Sequence, residues 1–474
     1  MILGFDSLGV ISLLITWVII LGLLLYVPRN RKPSSAVAWL LVIFFLPVVG
    51  LVLFALIGSP KLSNRRREQQ KKIDTHIVKA FPVATQNTES KTGDIAKMNH
   101  ALSGFDIGAA HSYKILADYD GAINDIVQDM HQAEKTIYLE YFILALDETT
   151  QPVFDAMERA VSRGVAVHVL FDAFGSKSYP RFAEMKSLLD ASGVEWRPML
   201  PIRLRPSQYN RPDLRNHRKI VTVDGRIGYI GSQNMVEKAY HRKDDIYYDE
   251  LVIRVEGSIV RQLEAVFTSD WYFETNTMLP ISTTSKKSAN EKYRMQVVPS
   301  GSTYRTENNA LLFTELFHRA RTQIVITNPY FVPNEAILEA IKSAVYRGVD
   351  VKIINSQAMD QWMVGHAMRS FYKELLEAGV EIYLFKKPKL LHSKHITIDD
   401  DIAVIGSSNM DIRSFELNLE CVLVAYEKAV VRDLKKVQKQ NIKDAKRISY
   451  KTWSKRSFWK ELRDSIARLT AALQ

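Results

Sequence analysis

Two long apolar, uncharged runs, Leu8 to Val27 and Ala36 to Ile57, open the chain. Each is long enough for one helix to cross a hydrocarbon core of about 30 Å, so together they predict a two-helix transmembrane hairpin over residues 1–60. Pro47 and Gly50 are placed to kink the second helix. A cleaved signal peptide does not fit, because no basic stretch precedes the first run, the run is too long, and no small-residue cleavage site follows it. Arg29, Arg31 and Lys32 lie between the runs, whereas Lys61, Arg65, Arg66, Arg67, Lys71 and Lys72 follow the second. The larger basic group puts the rest of the chain on the cytoplasmic side of a multi-pass protein.

The pattern then changes. Residues 61–110 are polar without sustained periodicity and read as a basic connector along an anionic membrane surface. A strand, helix, strand order follows twice. Thr136 to Leu146, Val153 to Arg163 and Val165 to Phe171 form the first set; Gln323 to Asn328, Asn334 to Arg347 and Val349 to Ile354 form the second. Gly164 and Gly348 end the two helices, and Ala160-Val161-Ser162-Arg163-Gly164-Val165 parallels Ala344-Val345-Tyr346-Arg347-Gly348-Val349. This order predicts a duplicated α/β domain with crossover helices: a first repeat at 111–276, a Ser, Thr, Asn and Lys-rich linker at 277–292, and a second repeat with a basic C-terminal segment at 293–474.

Composition narrows the partners. The length of 474 residues suits two globular units, and 47% apolar content excludes a disordered chain. A net charge of +11 favours anionic partners, either phospholipid surfaces or nucleic acid. The apolar N-terminal runs favour the lipid surface and fit a nuclease poorly. Cys421 is the only cysteine, so packing rather than a disulfide must hold the fold.

The chemistry is carried by one string that occurs twice. His217-Arg218-Lys219 is followed after four residues by Asp224 and after six more by Gly231-Ser232-Gln233-Asn234; His392-Ser393-Lys394, Asp399 and Gly406-Ser407-Ser408-Asn409 repeat the spacing. Six fixed residue types should coincide at roughly one start in 10⁷, so two coincidences are not accidental. His and Lys two apart on a strand share a sheet face and can address one phosphate. Asp224-Gly225 signals a tight turn, making each string a hairpin that returns Ser232 and Asn234, or Ser407 and Asn409, as phosphate-binding groups. Asp224 and Asp399 complete the catalytic string, but they also sit where turns need Asp, which favours a structural role for them.

Two histidines suit a covalent double displacement at phosphorus, one attacking as neutral imidazole while the other protonates the leaving alkoxide. Something must then hold them in opposite protonation states. Glu250 and Glu420, each following its own string, are the candidate orienting carboxylates, with Asp249 an alternative for the first. Neither string carries a set of His and Cys residues that reads as a metal site, so no metal and no cofactor is expected.

With these residues the chain resembles the phospholipase D superfamily and, more narrowly, the bacterial cardiolipin synthases. Asn216-His217-Arg218-Lys219 and the run Asn409 to Asn418 resemble the two motifs of the synthases, and the apolar N-terminus matches as well. The resemblance implies two phospholipase D-like repeats related by a pseudo-twofold axis, with the site between them. It also implies a bacterial cell-membrane location and metal-independent transfer of a phosphatidyl group from one phosphatidylglycerol to another. His217 would be the nucleophile and His392 the acid and base, with Lys219 and Lys394 stabilising charge. A phospholipase D-type hydrolase, with water as acceptor, would use the same residues; a lipid-binding scaffold without turnover would need a broken motif, and both are intact. The segment Lys435 to Arg468, where Trp453, Phe458 and Trp459 interleave with basic residues, reads equally as a helix at a lipid interface or one packed on the second repeat.

Overall fold

The computed structural model describes residues 7–29, 31–58, 64–81, 92–202, 210–240, 246–282 and 291–471, with the side chains of the first helix given from Trp17 onward. The N-terminal runs become three helices rather than two: α1 (Ser7–Tyr26), α2 (Pro33–Phe45) and α3 (Pro47–Ile57). The break falls at Leu46, whose φ of −133° and ψ of 70° leave the helical region. Pro47 explains it, since its ring disfavours helix at the preceding residue and it has no N–H to donate. The chain then folds back on itself. A Cβ on Gly50 would lie 2.7 Å from the Ile43 Cα, so only glycine permits this approach. The run Ala36 to Ile57 is thus not one spanning helix, and among the described residues no helix is long and apolar enough to cross a membrane.

The stretch after the apolar runs carries α4 (Asn64–Ala80) and α5 (Gly93–Ser103). α4 buries Ile73 and Ile77, one turn apart, and Arg66 reaches Glu274 at 2.6 Å. α5 buries Ile95 and Ala96 against the second repeat. The few apolar positions that each helix buries, Ile73 with Ile77 and Ile95 with Ala96, are too few to register as amphipathic periodicity, which is why the sequence reads as unpatterned here.

A short strand, β1 (Gly108–Ala110), precedes the first repeat: β2 (Ser112–Leu116), α6 (Tyr119–His131), β3 (Thr136–Tyr141), α7 (Gln151–Ser162), β4 (Ala166–Asp172), α8 (Phe182–Ala191), β5 (Glu195–Met199), β6 (Ile220–Val223), β7 (Ile227–Gly231), β8 (Tyr247–Asp249), β9 (Val252–Glu256) and α9 (Val260–Thr275). Its seven-stranded sheet has the order β2-β9-β7-β6-β3-β4-β5. β3, β4 and β5 are parallel and linked by α7 and α8, as crossover connections require.

The second repeat runs β10 (Tyr293–Ser300), α10 (Asn308–Arg319), β11 (Gln323–Thr327), β12 (Phe331–Val332), α11 (Glu335–Tyr346), β13 (Asp350–Ser356), α12 (Trp362–Ala378), β14 (Glu381–Phe385), β15 (Lys389–Leu391), β16 (His395–Ile398), β17 (Ile402–Gly406), β18 (Met410–Asp411), α13 (Ile412–Glu416), β19 (Glu420–Ala425), α14 (Lys428–Lys443), β20 (Ala445–Ile448), α15 (Tyr450–Trp453) and α16 (Phe458–Leu469). Its sheet order is β1-β10-β19-β17-β16-β11-β13-β14-β20. Without the edge strands β1 and β20, this repeats the first order strand for strand. One apolar core is shared by the repeats: Ile230, Ile253 and Leu263 pack in it with Ile405, Cys421 and Leu423.

Two short pairings join the repeats where the motifs begin. β8 pairs in parallel with β15, and Asn216 bridges Leu419. These set the site, because Leu391 directly precedes His392 and Asn216 directly precedes His217.

Candidate active site

Both strings fold as the spacing predicts. β6 and β7 form an antiparallel hairpin through Asp224-Gly225, and β16 and β17 form its counterpart through Asp399. The histidines precede the strands, fixed by backbone bonds across the repeat boundary: the His217 N–H donates to the Leu419 carbonyl at 2.8 Å and the His392 N–H to the Asp249 carbonyl at 2.8 Å. This geometry exchanges the glutamates. His217 Nδ1 lies 2.9 Å from Glu420 Oε1, and His392 Nδ1 lies 2.6 Å from Glu250 Oε1. Each carboxylate therefore serves the histidine of the other repeat, not that of its own string. Asp249 contributes backbone only.

The lysines flank the histidines symmetrically. Lys219 Nζ donates to the His217 carbonyl and Lys394 Nζ to the His392 carbonyl, both at 2.6 Å. Burial lowers Lys219 to about 7 and Lys394 to about 8, since a dry site penalises the ammonium. Ser232 and Ser407, expected to bind phosphate, instead face the carboxylates. The Ser407 hydroxyl donates to Glu420 Oε2, and Ser232 accepts the Leu251 N–H at 3.0 Å while helping to hold Glu250 ionised. Asn234 accepts the Ile143 N–H at 3.3 Å. Asn409 does line the cavity described below, and its buried Oδ1 has no hydrogen-bond partner among the described residues.

Asp224 and Asp399 do not reach the histidines. Four strand residues separate each from its lysine, so the two stand about 17 Å apart along extended chain. Asp224, at φ 54°, accepts the N–H groups of Glu134, Lys135 and Thr136; Asp399, at φ 49°, accepts those of Arg321, Thr322 and Gln323. They brace the entries to β3 and β11, so their place in the catalytic string is corrected to a turn role.

The two imidazoles differ in their surroundings. Burial pushes His217 well below the usual range, helped by the charges of Lys219, Lys394 and His392. Burial also lowers His392, but the charge of Glu250 opposes it. The carboxylates differ in the same sense. Burial raises Glu420 to about 7 despite Lys219 and Ser407, whereas for Glu250 the pull of His392 and Lys394 outweighs burial and holds it below the usual value.

His217 opens onto a cavity of about 730 Å³ walled by Phe142, Phe174, Tyr330, Trp362 and Met363. Sequence reasoning missed these walls, for which no local pattern exists. Tyr330 and Tyr248 flank His392 at 6.3 and 5.3 Å, and both hydroxyls donate to Asp360. Arg413, within the run that resembles the second synthase motif, also borders the cavity. Behind the site the Arg218 guanidinium is paired with buried Asp270 and donates to the Glu420 carbonyl at 3.0 Å. Among the described residues no cluster of three or more His, Cys, Asp or Glu could hold a metal.

Twin α/β repeats with one histidine-lysine hairpin each define a phospholipase D-like protein. A family model described as "Cardiolipin synthase, PLD-like domain" matches residues 126–271 and 313–442, and one described as "Phospholipase_D-nuclease N-terminal" matches 10–59. The chain belongs to the cardiolipin synthase family. It is 31% identical to cardiolipin synthase A of Wigglesworthia glossinidia brevipalpis, over 97% of each chain. It is 33% identical to the cardiolipin synthase of Halalkalibacterium halodurans, over 98% of this chain and 94% of that one. The fold is shared with the crystal structure of phosphatidylserine synthase from Haemophilus influenzae Rd KW20, at a TM-score of 0.62 and 14% identity over 80% of this chain and 100% of that one.

Proposed function

We propose that the protein is a cardiolipin synthase that moves a phosphatidyl group from one phosphatidylglycerol to another through a phosphohistidine on His217. The unequal environments of the histidines carry this reading. A neutral imidazole has the lone pair that attack on phosphorus requires, and His217 is the more strongly held neutral. With Nδ1 engaged by Glu420, Nε2 is left to form the P–N bond as the bond from phosphorus to the glycerol oxygen breaks. The departing alkoxide takes its proton from His392, whose imidazolium is favoured by ionised Glu250 and by the arriving phosphodiester anion. Lys219 and Lys394 stabilise charge on the phosphoryl oxygens. His392 then takes the proton of the second phosphatidylglycerol's hydroxyl, whose oxygen replaces His217 on phosphorus. Cardiolipin and glycerol result, and both histidines return to their starting state.

The aromatic walls of the cavity favour a lipid alcohol over water as acceptor. The exposed apolar side chains of the N-terminal helices, among them Trp17, Leu21, Phe44, Phe45 and Val48, support holding the protein at a bacterial cell membrane rich in anionic lipid. Incubating the purified protein with phosphatidylglycerol tests the activity. Cardiolipin and glycerol in equal amounts are expected; phosphatidic acid without cardiolipin would mean a hydrolase.

A further inference from the structure

We infer that α2 and α3 are a re-entrant wedge: the chain dips into one leaflet at Pro33, turns at Leu46-Pro47, and leaves at Gly58 on the side it entered. This rests on the membrane reading proposed above and replaces a second span within it.

Length is the first argument. At 1.5 Å per residue α2 and α3 are about 20 and 17 Å long, too short to cross about 30 Å of hydrocarbon but right for one leaflet. Their arrangement is the second. The Arg31 guanidinium lies 4.7 Å from the centre of the Phe54 ring, and Tyr26 and Trp39 contact the same ring at 6.3 and 5.4 Å. In one continuous helix Arg31 and Phe54 would stand about 35 Å apart. Both ends of the pair therefore lie at one level, with Leu46 at the far tip.

Ion pairs of the turn before α2 fix the side. Lys32, in the turn before α2, pairs with Glu307 at 2.6 Å and with Glu416 at 2.8 Å, both on the second repeat. Two full spans would put Lys32 across the hydrocarbon from these carboxylates. The wedge keeps them together.

Its occupant is the acyl region of a leaflet. The tip residues Phe44, Phe45, Leu46, Val48 and Val49 are all more than half exposed, without a charge among them, while Arg29, Arg31 and Lys32 gather at the base, where anionic headgroups lie. A second surface borders the same region. α16 turns its polar side to the body, where Asp464 meets His366 at 2.6 Å, and leaves Phe458, Trp459, Leu462, Ile466 and Leu469 on one outward arc of about 100°. Thr470 at its end lines the cavity that holds His217, and so does Arg413, one turn of α13 from Glu416. The wedge base, the cavity and the end of α16 thus adjoin, which sets the reacting phosphate at headgroup depth.

Cysteine reporters test this, because native Cys421 is fully buried and the unsubstituted protein serves as the blank. Arg29→Cys, Leu46→Cys and Lys71→Cys would each be labelled with a membrane-impermeant maleimide in right-side-out and in inverted vesicles. Arg29→Cys and Lys71→Cys should react from one and the same face, and Leu46→Cys from neither until detergent is added. Reaction of Arg29→Cys and Lys71→Cys from opposite faces, or of Leu46→Cys from either face of intact vesicles, overturns the wedge but leaves the membrane reading standing. Reaction at all three positions, with release of the protein into alkaline carbonate, would instead remove the membrane reading and the wedge with it.

Discussion

Glu250 and Glu420 are the residues on which the division of labour turns. Neither is exposed, so their replacement should alter proton handling rather than substrate fit. Glu250→Gln removes the charge that supports the His392 imidazolium, and kcat should fall by about 10²- to 10⁴-fold with little change in KM. Steady-state kinetics on phosphatidylglycerol vesicles checks this, and a change confined to KM would contradict it. The lysines set the pH response. With Lys219 at about 7 and Lys394 at about 8, both are charged in mild acid and lose their protons as pH rises through those values. The kcat/KM, which reports the free enzyme, should therefore decline from about pH 7 and more steeply above about pH 8; a profile level to pH 10 would show that the ammonium charges are not needed. The glutamates were legible in the sequence as candidate neighbours of the histidines. Their exchange was not, because the offset of a carboxylate from a histidine along the chain says nothing about which repeat it faces. The serines misled for a related reason: a hydroxyl beside the motif can serve the carboxylate as readily as the substrate.

The hairpin that carries each motif depends on its aspartate. Asp399 accepts the N–H groups of Arg321, Thr322 and Gln323 together with the Thr322 hydroxyl, and Asp224 accepts three N–H groups at the equivalent place. Removing the acceptor leaves the partly buried Gln323 amide unsatisfied, so Asp399→Ala should destabilise the protein by about 1–3 kcal/mol while the folded fraction keeps most of its kcat. Thermal unfolding and single-turnover rates, measured side by side, separate the two effects. Burial raises the Asp399 pKa, but the bonds from Gln323 and Thr322 outweigh it and hold the group below its usual value. Its stabilising contribution is thus present above the unfolded pKa and lost as pH falls through the folded one. The strand, helix, strand units and both hairpins were readable because local periodicity and turn residues determine them. The folding back of α3 on α2 was not, since average hydropathy is the same for one long helix and for two short ones side by side; only Leu46-Pro47 marked the break.

At the scale of the molecule, neither repeat holds a whole site. β1 joins the sheet of the second repeat, β8 pairs with β15, and each histidine takes its carboxylate from across the boundary. The duplication itself was plain from the repeated string, but contacts between its copies depend on packing that no local pattern encodes. This crossing makes a specific demand. Glu250, in the first repeat, should behave in experiments as a partner of His392, in the second. A phosphodiester with a nitrophenolate leaving group needs no acid for its departure, so Glu250→Gln and His392→Ala should both recover formation of the phosphohistidine. In His392→Ala the adduct should then persist on His217, because the step that consumes it needs His392 as base. Acid-stable tryptic mapping is unsuitable for the labile P–N bond; mass spectrometry after alkaline quench would locate it. His217→Ala should form no adduct with this substrate, and Glu420→Gln should form it slowly, having lost the carboxylate that orients the attacking ring. Finding the adduct on His392 would exchange the two roles while keeping the crossed pairs, since the same bonds would then position the other histidine for attack.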